Sequence, residues 1–209
     1  EGCEEEVNSK VRSALDHFKA FGAIVEEVSI PLHLEAPALL TPIYFEGGTQ
    51  TMMHGDGYGV SRSDLYSTSL MDFHRNWRVR ANELPPTVKL VTLLGTYIRK
   101  NHGSRYYGKS INLTRMLRSA YDEKLSNYDL LVMPTTAAKA QAIPQPGASI
   151  MEVVQSALPL YLNGNTQPFN ATHHPAMAVP CGMSEGLPIS LMLIGKHFDE
   201  PTIYRAAHA

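Results

Sequence analysis

Apolar residues recur at helical spacing at Val7, Val11, Ala14, Leu15, Phe18 and Phe21, which predicts an amphipathic helix over about 4–21. Gly22 follows as its stop. Ala23-Ile24-Val25-Glu26-Glu27-Val28-Ser29-Ile30 then reads as a strand, closed by Pro31. A helix passing through one glycine into a strand is the half-unit of parallel α/β sheets. Residues 33–104 lose this regularity. Helices are expected within 35–53, from Ser69 to Asn82 and from Pro86 to Arg99, with Gly55-Asp56-Gly57-Tyr58-Gly59 as a loop. No strand stands out, so 33–104 reads as a mostly helical excursion from a sheet.

The second half is clearer. Ile111, Leu113, Met116, Leu117, Ala120, Tyr121 and Leu125 give one apolar side to a long helix over 104–127. Tyr128 to Met133 is almost wholly apolar, as expected for a central strand covered on both faces. Pro134 ends it, and the loop 135–149 lies beyond its C-terminal end, where open α/β sheets bind ligands. A helix is expected over 149–162. Strands over 176–180 and 189–194 should follow, joined by a turn at Ser184-Glu185-Gly186. At the far end, Asp199 is placed to cap a helix with Pro201 in its first turn. The predicted class is α/β, with α/β/α layers around a mixed, mainly parallel sheet.

With 209 residues, 44% of them hydrophobic, the chain can bury a sizeable core as one domain. A formal net charge of −2 without clustered Lys or Arg argues against nucleic-acid partners. No apolar run approaches the ~20 residues of a membrane span, so no membrane partner is expected. Two cysteines, Cys3 and Cys181, are a poor disulfide framework, and a reducing, cytoplasmic setting is expected. No initiator Met opens the chain, and Ala209 falls about two turns into the last helix. Both ends are therefore expected to continue in a longer protein.

Hydrolytic chemistry needs a nucleophile, a proton acceptor and oxyanion donors. No Gly-x-Ser-x-Gly elbow is present. Ser9-Lys10 and Lys109-Ser110 are adjacent pairs, which cannot face each other on a helix. Cys181 sits in apolar surroundings that favour an inert thiol. His173-His174 lack the spacing of a zinc motif, and His54 and Asp56 offer too few ligands, so no metal is expected. Gly55 to Gly59 lacks the Lys-Ser/Thr end of a phosphate-binding loop. No catalytic residue is named within this chain.

Four pieces of sequence carry a resemblance. They are Tyr128-Asp129-Leu130-Leu131-Val132-Met133-Pro134-Thr135-Thr136, Asn165-Thr166-Gln167-Pro168-Phe169-Asn170, Ala176-Met177-Ala178-Val179-Pro180-Cys181-Gly182, and Gly186-Leu187-Pro188 with the apolar run to Gly195. In that order they resemble the C-terminal part of amidase-signature hydrolases. The resemblance is strong over 129–209 and looser before it. It implies hydrolysis of a carboxylic amide to acid and ammonia by a Ser–Ser–Lys arrangement, without cofactor or metal. That arrangement would lie ahead of Glu1, in an N-terminal part of the same enzyme. This segment would then supply a pocket wall and part of the sheet. Tyr107-Gly108-Lys109, Asn112-Leu113 and the strand 191–194 are similar to amidases of broad aliphatic and aromatic range.

The resemblance also implies site residues. Trp77 reads from its surroundings as either a core anchor beneath the helical excursion or a lid residue facing ligand; the resemblance places it at the substrate pocket, with Ile189 and Tyr44 as weaker candidates. Asn165, Phe169, Asn170 and His173 belong to a rigid loop, 163–175, bordering the active site. The family spells this loop Phe-Asn-x-Thr-Gly-x-Pro, whereas here His173 takes the glycine position; Ser190 likewise replaces the second glycine of Gly-Leu-Pro-x-Gly. If that glycine takes a positive φ in the family, His173 carries a strain cost there, although histidine tolerates it better than most residues. The expected partner is a small amide, and a homodimer is compatible with these features. A non-catalytic scaffold or binding subunit of the same fold is the alternative. The amidotransferase component that amidates mischarged tRNA is a third reading.

Overall fold

A computed structural model describes residues 2–59, 65–162 and 164–209. It divides into two compact units. One holds Glu1–Pro37, Thr114–Gln145 and Leu158–Ala209, and the other Ala38–Leu113 and Pro146–Ala157.

The first unit is built on a three-stranded sheet. β1 (Leu130–Pro134), β2 (Ala176–Ser184) and β3 (Leu187–Gly195) lie in the order β1-β3-β2, and both pairings are antiparallel. β3 is the central strand because it is the one that can be covered on both sides. Ile189 and Leu191 to Ile194 are all buried, with Leu193 and Ile194 at 0% exposure. Burying such a side chain contributes roughly 1.5–3 kcal/mol. Glu185, at φ 51, and Gly186, at φ 78, make the β2–β3 turn at the expected place. The expected mainly parallel pairing does not occur among the described strands, and β1 lies at an edge of this sheet. Residues 23–30 form no strand. Ile24 is 87% exposed, and extended backbone without a neighbouring edge has no ladder to join.

α1 (Glu5–Ala20) lays Val11, Ala14 and Phe18 against Leu191 and Leu193, together with Ile203 of α8 (Glu200–His208). Asp199 occupies the N-cap position of α8, but its side chain makes no capping bond. Opposite β3, Pro180 pairs with Ser190 and Gly182 with Ile189, so Cys181 is the extra residue of a bulge. Burial pushes its thiol up, away from the reactive thiolate.

The second unit is helical. Two π-helical stretches, Ile43–Gly47 and Thr49–His54, follow α2 (Leu32–Pro42) and pack on α4 (Pro86–His102). They meet α4 at Gly95, where the Thr49 hydroxyl donates to the Val91 carbonyl over 3.1 Å. α3 (Thr68–His74) runs into a 3₁₀ turn, Arg75–Arg78, followed by a second at Ala81–Glu83, rather than the continuous helix expected to Asn82. α5 (Arg105–Leu125) and α6 (Ile150–Leu162), whose residues are divided between the two units, match the expected long and short helices. Among the described residues no helix is long and apolar enough to cross a membrane.

Candidate functional site

The C-terminal end of β1 carries a connected run of specific polar bonds. Pro134 cannot donate, but its carbonyl accepts from Asn165 Nδ2 at 2.7 Å. Asn165 Oδ1 lies 3.2 Å from His33 Nε2, and His33 Nδ1 lies 2.7 Å from the Tyr121 hydroxyl. An amide oxygen only accepts, so His33 donates through Nε2 and receives the Tyr121 hydroxyl at Nδ1. Burial holds His33 below the usual imidazole range and raises Tyr121 well above the ordinary phenol value. Both are neutral at pH 7, as this relay requires. Its effect is to fix one side chain, Asn165, at the end of a strand.

Ser190 adds a second tie at the same place. Its hydroxyl donates to Thr135 Oγ1 over 2.9 Å, and Thr135 N donates to the Ser190 carbonyl over 3.0 Å. The residue replacing the family's glycine thus locks β3 to the loop after β1. The rim offers positioned hydroxyl and amide groups, suited to orienting a polar ligand.

The expected irregular loop 163–175 instead contains a short helix, α7 (Gln167–Thr172), opened by Pro168. Phe169 is buried and packs on Tyr121 with ring centroids 4.9 Å apart. Asn170 is exposed, as is His173. His173 ends α7 in the left-handed conformation, φ 63 and ψ 20, and its N–H bonds the Phe169 carbonyl. The glycine-replacing position thus does take a positive φ. His173→Gly should relieve about 1–2 kcal/mol of strain, offset by ~0.5–1 kcal/mol of glycine's extra chain entropy. The expected net is a gain of up to about 1 kcal/mol and a Tm higher by a few degrees, read by thermal melting. A lower Tm would show that the imidazole itself holds the loop.

The remaining candidates are separate. Ile189 is 4% exposed inside the first unit. Tyr44 and Trp77 belong to the second. Tyr44 is 55% exposed beside Phe45. Trp77 is half-buried, donates from Nε1 to the Met53 carbonyl at 3.1 Å, and carries the Arg78 guanidinium 5.1 Å from its ring centre. An open hollow of about 770 Å³ lies in the same unit, lined by Asp56, Met71, Asp72, Arg75, Asn76 and Val79 among others. Asp56 pairs with Arg78 at 2.8 Å, which holds its carboxyl below the usual range.

Sequence reasoning missed His33, Tyr121 and Glu46 as polar groups of interest. His33 and Tyr121 are far apart in the chain and carry no motif. Glu46 is 2% exposed within the first π-helical stretch, and its Oε2 has no hydrogen-bond partner among the described residues. Its signal would have been an acidic residue in an otherwise apolar helical run.

A sequence profile described as Amidase matches residues 1–204. The chain belongs to the amidase-signature family. It is 37% identical over 203 residues to an enantioselective amidase of Rhodococcus rhodochrous, covering 96% of this chain and 39% of that protein. It is 34% identical over 213 residues to the A-type component of the glutamyl-tRNA(Gln) amidotransferase of Lysinibacillus sphaericus, covering 100% of this chain and 42% of that one. It thus spans about two fifths of the length of these amidase-family relatives. The solved structure of the corresponding Thermotoga maritima amidotransferase component superposes with a TM-score of 0.65 at 24% identity, over 99% of this chain and 38% of that one. That likeness establishes the amidase-signature α/β fold.

Proposed function

We propose that this chain forms the pocket wall and part of the sheet of an enzyme that hydrolyses a carboxylic amide to acid and ammonia. The nucleophilic serine and its Ser–Lys partners lie in sequence ahead of Glu1, and the 209 residues alone are inactive. The observation that carries the reading is Asn165, held by His33 and the Pro134 carbonyl at the end of β1 within a family-wide match. Fixed amide and hydroxyl groups position a substrate without supplying the attacking electron pair. The Cys181 thiol, raised by burial, makes a poor nucleophile, and Lys139 is engaged by Glu6 and Glu185. Trp77 and Tyr44 are the proposed contacts for the acyl group, and Ile189 is a third. No cofactor is needed, and the setting is cytoplasmic.

Similarity to amidotransferase components over the whole chain favours a second reading, a subunit working within a complex. A net charge of −2, without clustered Lys or Arg in the sequence, speaks against direct contact of this chain with tRNA.

A serine-directed fluorophosphonate tests the first reading. Reaction with the active protein, followed by peptide mass mapping, should place the adduct on a serine outside residues 1–209. An adduct on Ser190, or inactivation that follows modification of Cys181, would overturn it.

A further inference from the structure

Three ligand-type side chains from three segments converge beside the C-terminal end of α7. Asp122 projects from α5, His174 precedes β2, and His197 lies in the turn between β3 and α8. One ligand atom from each falls within 4.8 Å of the other two. His174 Nε2 is 3.1 Å from Asp122 Oδ1, and His197 Nε2 is 4.0 Å from the same oxygen. The two imidazole rings lie 4.2 Å apart, tilted by 34°.

An ordinary histidine–carboxylate hydrogen bond accounts for Asp122 and His174. It does not account for His197. The Nε2 of His197 is shut off from solvent and has no hydrogen-bond partner among the described residues, although the rest of its ring is partly exposed. A buried polar atom left in this state costs roughly 1–3 kcal/mol. We propose that Asp122, His174 and His197 bind one divalent transition-metal ion of the zinc class, with the fourth position open to water.

The donor set is a carboxylate and two imidazoles, which suits zinc better than calcium or magnesium. Bonds of about 2.0–2.1 Å in a tetrahedron set donor atoms about 3.3 Å apart. The 3.1 Å pair already meets this. The His197 ring, 4.0 Å from Asp122 Oδ1 and with all three ligand atoms within 4.8 Å of one another, must move inward on binding to complete the tetrahedron. Metal binding selects the tautomer of neutral His174 that carries its single proton on Nδ1, so that Nε2, which faces Asp122, presents its lone pair to the ion. That proton has an acceptor, Thr172 Oγ1 at 3.0 Å, the outer hydrogen bond that orients metal-bound histidines. The nearby Arg118, bonded to the Thr172 carbonyl, opposes added positive charge and limits the affinity. The bound ion would clasp the end of α5 to the segments flanking β2 and β3, independently of amide hydrolysis.

Zinc titration by calorimetry into chelator-stripped protein tests this, with cobalt(II) absorption reporting four-coordinate geometry. One equivalent should bind with a Kd below about 100 μM. His197→Ala and Asp122→Asn, at partly exposed positions that fold without the metal, should each weaken binding by more than ~100-fold. Thr172→Val should weaken it by ~10-fold. Weaker uptake by the unsubstituted protein, or one equivalent that survives His197→Ala, would overturn the site.

Discussion

Gly95→Ala should destabilise the protein by about 3 kcal/mol, although alanine is the better helix former by nearly 1 kcal/mol. A Cβ at position 95 would stand 2.1 Å from the Phe45 carbonyl oxygen, 2.3 Å from Thr49 Oγ1 and 2.7 Å from Thr49 Cβ. The first obstacle is backbone, so no side chain can swing clear. The π-helical segment must lift off α4 by about an ångström, and overpacking of this kind typically costs about 1–3 kcal/mol, occasionally more. The lift also breaks the Thr49 bond to Val91. Chemical denaturation should show a lower midpoint with an unchanged slope. A midpoint raised by the helix-propensity gain would mean that the two segments do not touch as described.

Asn165→Ala should lower kcat/KM of the active enzyme by about 10²-fold, the scale of a misplacement near 1 Å. The substitution leaves the His33 Nε2–H and the Pro134 carbonyl without their partner, at ~1–3 kcal/mol. That loss alone lowers Tm by several degrees and leaves the folded fraction fully active. The two effects separate when kcat/KM is measured well below Tm. Asn165→Asp keeps the shape and the acceptor for His33 but loses the donor to Pro134, so it should not restore activity. Unchanged kcat/KM in Asn165→Ala would reduce the residue to a structural tie.

The elements most legible in the sequence are those whose signal is their own periodicity. Val7, Val11 and Phe18 mark α1, and Leu117, Tyr121 and Leu125 mark α5, because a helix satisfies its own backbone wherever it lies. Strands depend on partners. Ile24, Val25, Val28 and Ile30 have strand composition, yet they pair with nothing among the described residues. The turn at Glu185-Gly186 is legible because its chemistry is local. α7 is not, since its short polar residues also suit an irregular loop, and only Pro168 and the left-handed His173 betray it. The π-helical stretches leave no mark except Gly95, whose meaning as a contact point depends on a segment far from it in the chain.

The candidate site is legible in the same uneven way. Asn165 and Phe169 stand out through a short motif, and the structure gives each a definite task, a tie to β1 and a packing contact with Tyr121. His33 does not, because its partners, Tyr121 and Asn165, come from distant segments. The grouping of Asp122, His174 and His197 escapes for the same reason, since ligand spacing is visible only along one element.

The most direct measurement is ammonia release from benzamide and propionamide, by the 209-residue chain and by the longer protein proposed to carry it. The expected result is steady turnover by the longer protein and, from the chain alone, a rate lower by roughly 10⁴–10⁶-fold, the scale seen when a catalytic triad is removed. Comparable turnover by both would place the nucleophile within residues 1–209 and contradict the proposed division of labour.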